Sequence, residues 1–432
     1  MKNLLRFCLT CPLTLVLLNG CGGGGLDTDS SVRLVNATSE YTTLDLYAGS
    51  DRIASAVSSN SVGSFATVNA DTYTFNLKSG GSTATAASTS REAVKKKHQT
   101  LVAYTTGGAL TAEYLSDEES APSSGTAKLR VFNTAAADAG NIDLYLVNTA
   151  CADLQTSTAA AVATAVSGLQ SGYTEVSAAT GGSAYHLCVT ATGDKSALRL
   201  DVPALTLSNQ QVATLIVTRS AGGVLLNGLL LTQQGALTPA LNTSARVRVA
   251  ANASASGTVT ASVGGVSLGL NYTSPAVGSY KLVPAGALAL SLTVSGTTTA
   301  VNSLSAVAGN DYTLLVTGAA TAPVATLIAD SNTPSTSTAR PVKLRLVNGL
   351  NGSTASATLA YNFDQVGDGA ASLSANSPSF VATSAALARL EASVGGTTVL
   401  VGTTITLETG KVYSLFLLGD LATPQAILRA DR

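Results

Sequence analysis

Few residues of this chain are of the types that perform chemistry in proteins. Only two histidines, His98 and His186, occur in 432 residues, and they fall in different predicted domains. A His-based catalytic triad or a multi-histidine metal site would therefore need an unfavourable geometry. The sequence also contains no phosphate-binding P-loop and no His-Glu-x-x-His motif. We expect a protein that is not an enzyme, with no cofactor and no metal site.

A leader with a basic start, Lys2 and Arg6, and an uncharged apolar run ends at Cys21. The run is shorter than the ~20 residues that span a bilayer, as in a signal peptide. The spacing in Leu18-Asn19-Gly20-Cys21 resembles the lipobox of bacterial lipoproteins. That resemblance implies a cleaved signal peptide over residues 1–20, a lipid on Cys21 and a flexible tether over residues 21–30.

The alternative to a lipid anchor is an uncleaved membrane anchor, which the glycines from Gly20 onward disfavour because they break a helix early. Lipoproteins kept at the inner membrane typically carry Asp after the lipidated cysteine, whereas this chain has Gly22. We therefore expect a lipid-anchored protein of the cell envelope, with the outer membrane favoured.

The remaining cysteines agree with export. Cys8 and Cys11 lie in the leader, so Cys151 and Cys188 are the only pair in the folded part. An even pair in an oxidising compartment predicts a disulfide. A metal site formed by both cysteines and His186 is the alternative, although no fourth ligand of suitable type is evident.

Internal repetition gives the domain organisation. The segment Val32-Arg33-Leu34-Val35-Asn36 recurs around Arg130 and Arg345, with a degenerate copy around Arg248. These arginines lie 97, 118 and 97 residues apart, which predicts four units, the second enlarged by 21 residues.

Short alternating strands separated by Gly, Ser, Thr, Asn and Pro predict that each unit is an antiparallel, immunoglobulin-like β-sandwich. Each unit should close with a hairpin, turning near Gly107, Gly222, Gly318 and Gly419. The fold class is thus all-β, with four tandem sandwiches after the leader. The predicted domains are residues 31–117, 126–233, 245–330 and 339–432, joined by semi-extended spacers rich in Pro, Ser and Thr.

The paired patterns Arg33-Leu34-Val35-Asn36-Ala37 and Leu44-Asp45-Leu46-Tyr47, with later Tyr-bearing strands, resemble a bacterial envelope β-sandwich family, domain of unknown function 4397. The resemblance implies this architecture for nearly the whole mature chain. Family members usually carry His where Asn36, Asn133 and Asn348 stand here, so no ligand role of that His is carried over.

Three clusters could still bind or react. Asp45 and Asp143 recur in equivalent strands and could form a glycosidase-like pair, but their strand phase predicts an ordinary solvent-facing position. The stretch from Asp364 to Gly369 weakly resembles a calcium loop, and a plain turn is favoured. The basic run Lys95-Lys96-Lys97 before His98 either contacts anionic envelope material or guards a strand edge, and we favour the second interpretation.

Two functions of different class follow. We favour a non-enzymatic envelope lipoprotein that acts as a spacer, scaffold or adhesion module, attached to the membrane through its N-terminal lipid. The alternative is a module that binds a polysaccharide or a small ligand. Without the leader, the chain has 24 − 2 = 22 basic and 25 acidic side chains, so we expect no nucleic-acid partner.

Overall fold

The chain folds almost entirely into β-strands, as its short alternating runs predict. The computed structural model describes residues 28–168, 170–178, 184–220, 222–335, 337–381 and 388–432. The leader, Cys21 and the tether lie outside the described residues. Within the described part, the strands fall into four consecutive segments of nine strands each.

Segment 1 contains β1 (Asp29–Asn36), β2 (Thr43–Ala48), β3 (Asp51–Ser58), β4 (Ser61–Val62), β5 (Ala66–Asn69), β6 (Thr72–Ser79), β7 (Ala87–Glu92), β8 (His98–Thr106) and β9 (Ala109–Ser116). Segment 2 contains β10 (Thr126–Asn133), helix α1 (Ala136–Ala139), β11 (Ile142–Val147), a 3-10 turn (Cys151–Thr156), β12 (Ala163–Val166), β13 (Thr174–Ser177), β14 (Tyr185–Ala191), β15 (Asp194–Leu205), β16 (Val212–Arg219), β17 (Leu226–Thr232) and β18 (Leu237–Ala240).

Segment 3 contains β19 (Ser244–Ala253), a 3-10 turn (Ser254–Ser256), β20 (Thr258–Val263), β21 (Val266–Thr273), β22 (Ala276–Val277), β23 (Lys281–Pro284), β24 (Gly286–Val294), β25 (Thr297–Ala306), β26 (Asp311–Ala319) and β27 (Ala322–Asp330). Segment 4 contains β28 (Val342–Asn348), β29 (Ala357–Tyr361), β30 (Asp364–Gln365), β31 (Ser374–Ala375), β32 (Ser379–Val381), β33 (Ala388–Val394), β34 (Thr397–Ile405), β35 (Val412–Asp420) and β36 (Thr423–Ala430).

Each segment forms two packed sheets. In segment 1 one sheet has the order β3-β2-β6-β7 and is antiparallel, and the other has the order β4-β1-β8-β9, with β5 also beside β1. The first strand of every segment pairs in parallel with the first strand of its terminal hairpin, as β1 does with β8 and β10 with β16. We call the sheet that holds this pair the mixed sheet. The predicted all-β sandwich class is confirmed, and each mixed sheet adds one parallel pair, for which the antiparallel sheet serves as the crossover that a parallel pair requires.

The terminal hairpins form as predicted. The strands β8 and β9 pair across Gly107 and Gly108, and β26 and β27 pair from Asp311 to Asp330. The pair β16 and β17 and the pair β35 and β36 are the equivalents in segments 2 and 4.

One apolar core lies between the two sheets of each segment. In segment 1, Leu34 of the mixed sheet and Phe75 of the antiparallel sheet belong to the same buried cluster. Separate clusters fill segments 2, 3 and 4 in the same way. These are the inward faces that the alternating strand pattern predicts.

Two further clusters lie between segments. Val35 and Val102 of segment 1 pack with Phe132 and Ile216 of segment 2, so the two mixed sheets are face to face. Leu315 of segment 3 packs with Phe416 and Val347 of segment 4 in the equivalent way. We call segments 1 and 2 the N-terminal pair, and segments 3 and 4 the C-terminal pair. Since the mixed sheets are covered on both faces, each pair is a four-sheet stack.

The stretches that we expected to be semi-extended spacers are packed against the pairs at some residues and exposed at others, such as Ser120 and Ser124. Asp117 is 2% exposed and Asn332 is fully buried. Residues Leu237–Ala240 form β18, which extends the mixed sheet of segment 2. The prediction of spacers without buried structure is therefore wrong at Asp117 and Asn332, whose side chains satisfy other buried polar groups.

Candidate functional site

The repeated arginine of each segment is buried in the contact between paired mixed sheets. Its Nε donates to a hydroxyl directly across the parallel pair: Arg33 to Thr100 (2.8 Å), Arg130 to Thr214 (2.7 Å), Arg248 to Thr313 (3.0 Å) and Arg345 to Ser414 (2.6 Å). The recurring sequence motif is therefore a clamp between an arginine and a hydroxyl, repeated four times in the described chain.

In the C-terminal pair the clamps join into a four-charge network with a two-fold pattern. Arg345 of segment 4 donates to Oδ1 of Asp330 of segment 3 at 2.5 Å. Arg248 of segment 3 donates reciprocally to Asp431 at the end of segment 4. Both carboxylates also accept the clamp hydroxyl of their own segment, Asp330 from Thr313 (2.7 Å) and Asp431 from Ser414 (2.5 Å). All four charged side chains are 3% exposed or less.

In the N-terminal pair one carboxylate stands where the C-terminal pair has two. Asp117 accepts from Arg33 at 2.9 Å and from Thr100 at 2.6 Å, within segment 1. Arg33 also donates to the carbonyl oxygen of Gly235 at 2.6 Å, across the contact. Arg130 donates to the carbonyl oxygen of Ser116 at 3.1 Å. Backbone carbonyls thus take the place of a second carboxylate.

The two networks shift arginine pKa values in opposite directions. Burial lowers the pKa of Arg33, although Asp117 opposes the shift, and burial also lowers that of Arg130. Burial alone would lower the pKa of Arg248 as well, but Asp431, Tyr280 and Asp330 together raise it above its usual value. The C-terminal network therefore compensates its buried charges more completely.

The asparagines that end the first strand of segments 1, 2 and 4 hold the two sheets of a sandwich together. Asn36 donates to the carbonyl oxygens of Tyr41 and Val57, both at 3.0 Å, and accepts from the hydroxyl of Thr38 at 2.7 Å. Asn133 and Asn348 make the equivalent bonds to carbonyl oxygens of their own segments. Their amide groups are saturated by the backbone, which gives them a structural role.

Asp45 and Asp143 are buried, so the prediction that they face solvent was wrong. They are 4% and 5% exposed. Asp45 accepts the backbone N–H of Ala56 at 2.7 Å, and Asp143 that of Ala165 at 2.7 Å. Both alanines have a positive φ of 50°, and the strand register shifts beside them. Each carboxylate therefore stabilises a β-bulge of the neighbouring strand and is covered by it, on the sheet face opposite the core.

The predicted disulfide between Cys151 and Cys188 is present. It ties the 3-10 turn to β14. His186 and Asp201 lie beside it, with 3.7 Å between His186 Nδ1 and Asp201 Oδ1. Cys151, His186 and Asp201 have the spacing of metal ligands. The alternative metal site would need thiolates, and the disulfide occupies both sulfur atoms.

The basic cluster lies on the surface of segment 1. Lys95, Lys96 and Lys97 are exposed in the turn before β8. Glu118 lies 3.8 Å from Lys97 Nζ and 3.1 Å from His98 Nδ1. This carboxylate offsets part of the positive charge of the cluster.

Two sequence patterns with possible chemistry lie in hairpins. Gly265-Val266-Ser267-Leu268-Gly269 has the spacing of a nucleophile elbow, a pattern that our sequence reasoning missed. Gly265 lies in the turn before β21, the other four residues lie in β21, and Ser267 pairs with Ser262. An elbow requires a strand-to-helix turn. The stretch from Asp364 to Gly369 contains β30, and the Gln365 side chain donates to the carbonyl oxygen of Gly367 at 3.0 Å.

Sequence reasoning missed the three carboxylates of the networks. Asp117, Asp330 and Asp431 lie 17 residues after the clamp hydroxyls of Thr100, Thr313 and Ser414. That fixed spacing, at the end of each terminal hairpin, is the signal that could have found them.

These features define an all-β protein built of packed sandwich sheets. Residues 30–145 match the family model "Domain of unknown function (DUF4397)". The match extends from β1 into β11 and supports the family for that part of the chain. No curated protein matches the chain. Among the described residues, no helix has the length and apolar character needed to cross a membrane.

Proposed function

We propose that the chain is a non-enzymatic lipoprotein of the cell envelope that acts as a scaffold or spacer, held to the outer membrane by a lipid on Cys21. The observation that carries the scaffold role is the pairing of mixed sheets. Phe132 and Phe416 are fully buried in the contacts between segments. Burying such a side chain is worth about 1.5–3 kcal/mol, so each pair should behave as one stiff unit.

The recurring polar residues support the same role, because their bonding capacity is used inside the protein. The arginine clamps, the sheet-joining asparagines and the bulge carboxylates all bond to neighbouring strands. Residues that recur for catalysis would instead converge on an open cleft. A scaffold needs stiffness and an anchor, and the leader with Cys21 supplies the anchor in this proposal.

The anchor is tested by labelling cells with a fatty-acid analogue. Cys21→Ser should abolish labelling and move the protein to the soluble envelope fraction, whereas Cys8→Ser in the leader should leave both unchanged. Labelling that persists in Cys21→Ser would contradict the lipid anchor. The scaffold role is tested by small-angle scattering of the delipidated chain, where flexible segments that move independently would contradict stiff pairs.

A further inference from the structure

Most of the enlargement of segment 2 lies in one connection. Segments 1, 3 and 4 join the second and third strands by two-residue turns, at residues 49–50, 264–265 and 362–363. Segment 2 instead inserts residues 148–162 between β11 and β12, including the 3-10 turn Cys151–Thr156. The insertion packs its own small apolar cluster, with Leu154 and Cys151, on the outer face of the antiparallel sheet.

This insertion is fixed in place by two devices. The disulfide joins Cys151 to Cys188 of β14. Lys195 Nζ donates to the carbonyl oxygens of Ser157 (2.8 Å) and Ala159 (2.9 Å). A surface insertion that is covalently and electrostatically held is a rigid wall rather than a loose loop.

The wall borders a groove of about 640 Å³ between segments 2 and 3. The opposite side is β23 of segment 3, with Lys281 and Leu282, and β15 of segment 2 forms the floor with Leu198. The volume lies within the ~300–1,000 Å³ typical of ligand sites. Both β15 and β23 are edge strands of their sheets, so the groove is open along its length.

The charge of the groove is positive. Lys195, Arg246 and Lys281 line it, against one lining carboxylate, Asp201, among the described residues. Arg246 is paired with Asp311 and Lys195 donates to the insertion, which leaves Lys281 as the cation best placed for a ligand. Asp201 lies 3.7 Å from His186, which offsets its charge when the imidazole is protonated.

We propose that this groove binds an acidic saccharide, with a carboxylate at Lys281 and the sugar ring over Leu198 and Leu282. The side chains of Gln155, Ser196 and Ser244 line the same groove and can exchange hydrogen bonds with sugar hydroxyls. Lysine binds an anionic group as a point charge, and the apolar floor suits the C–H face of a sugar. This binding site goes beyond the proposed scaffold role and does not depend on it.

The test is calorimetric titration of the delipidated full chain with trigalacturonate, with maltotriose as the neutral probe and inorganic phosphate as the anion without a sugar. Trigalacturonate should bind more tightly than both, and binding should weaken with salt. Lys281→Glu should raise the Kd about tenfold or more, because it replaces an attraction by a repulsion. The matched control, Lys95→Glu, changes the same charge at an exposed site in segment 1 and should leave the Kd unchanged.

Hydrogen exchange locates the site independently of the variant. Trigalacturonate should protect residues 151–156 and 281–284 in the wild-type chain. Protection elsewhere, equal Kd values for the two variants, or phosphate binding as tight as that of trigalacturonate would each overturn the proposal. Absence of binding by trigalacturonate would overturn it too, while leaving the lipid anchor and the stiff pairs untouched.

Discussion

The N-terminal and C-terminal pairs use the same contact between mixed sheets with different charge compensation. In the C-terminal pair two arginines face two carboxylates, each from the partner segment. In the N-terminal pair only Arg33 bonds to Asp117, and both arginines donate to carbonyl oxygens, Arg33 to Gly235 and Arg130 to Ser116. The clamp hydroxyl is retained in all four segments, so the repeat fixes the arginine's position and the hairpin end decides its partner.

This difference shows how a tandem array can keep one packing geometry while its polar contacts diverge. A guanidinium needs several acceptors when it is buried, and backbone carbonyls can supply them without a second carboxylate. The compensation is less complete, since burial lowers the pKa of Arg33 and Arg130 while the carboxylates raise that of Arg248. The N-terminal pair has a disulfide, which the described part of the C-terminal pair does not contain.

Removing Asp330 should have the largest effect. This carboxylate accepts hydrogen bonds from Arg345, Thr313 and the hydroxyl of Tyr280. Asp330→Ala removes the closest carboxylate of the buried Arg345 and the acceptor of two hydroxyls, and it leaves Arg345 the more distant Asp431 at 3.8 Å, so we expect the C-terminal pair to lose about 3–5 kcal/mol of stability. Hydrogen exchange of the full chain should show lost protection in β19, β26 and β28.

The control is Asp420→Ala, which removes an exposed carboxylate from the last hairpin of the same pair. It should leave protection in β19 and β28 unchanged. If Asp330→Ala reduced protection equally in β1 and β10, the two pairs would not be separate cooperative units.

Removing the disulfide should cause the second-largest loss of stability. The double variant Cys151→Ser with Cys188→Ser frees the 37-residue loop that the bond closes. We expect the N-terminal pair to lose about 2–4 kcal/mol, since the unfolded chain regains the entropy of that loop. Denaturation followed by exchange in β14 and β16 measures the loss. An equal loss in the C-terminal pair would show that the disulfide supports the whole chain.

Asp117→Ala should cost less than Asp330→Ala. Asp117 accepts from Arg33 and Thr100, but Arg33 retains Gly235 as an acceptor across the contact. We expect a loss of about 1–3 kcal/mol, confined to the N-terminal pair. Hydrogen exchange measures the loss of protection in β1 and β10. Comparing it with the loss that Asp330→Ala causes in β19 and β28 shows which network contributes more to stability. A loss of stability larger than that caused by Asp330→Ala would contradict the weaker dependence of the N-terminal network on its carboxylate.

Local patterns predicted the elements of this fold, whereas contacts between distant residues decided how they pack. Gly107 with Gly108 marks a hairpin by turn chemistry alone. The pairing of segments left a readable signal in contiguous apolar runs such as Leu101-Val102-Ala103 and Leu415-Phe416-Leu417, because strands covered on both faces do not alternate. The bulges at Ala56 and Ala165 left none, so the burial of Asp45 and Asp143 was not predicted.

The smallest expected effect is a pH dependence of stability, and it concerns two lysines at equivalent positions, two residues before the repeated arginine. Lys128 of the N-terminal pair forms an ion pair with Glu119. Lys343 of the C-terminal pair instead donates to the hydroxyl of Ser331 at 2.7 Å and to the carbonyl oxygen of Thr333 at 3.1 Å. Burial and the nearby Arg345 lower the pKa of Lys343 to about 8.

The sign of the pH dependence follows from that shift. The unfolded chain holds the Lys343 proton up to its ordinary pKa of about 10.4. Above about pH 8 the folded protein releases the proton first, so the unfavourable contribution of the buried charge is relieved as pH rises between these values. The free energy of unfolding of the C-terminal pair should therefore rise with pH there, by less than ~1.4 kcal/mol per pH unit for one proton. Lys343→Met should remove this slope and Lys128→Met should keep it, as measured by denaturant unfolding at pH 7.5 to 9.5; a slope that survives in Lys343→Met would assign the effect to another group.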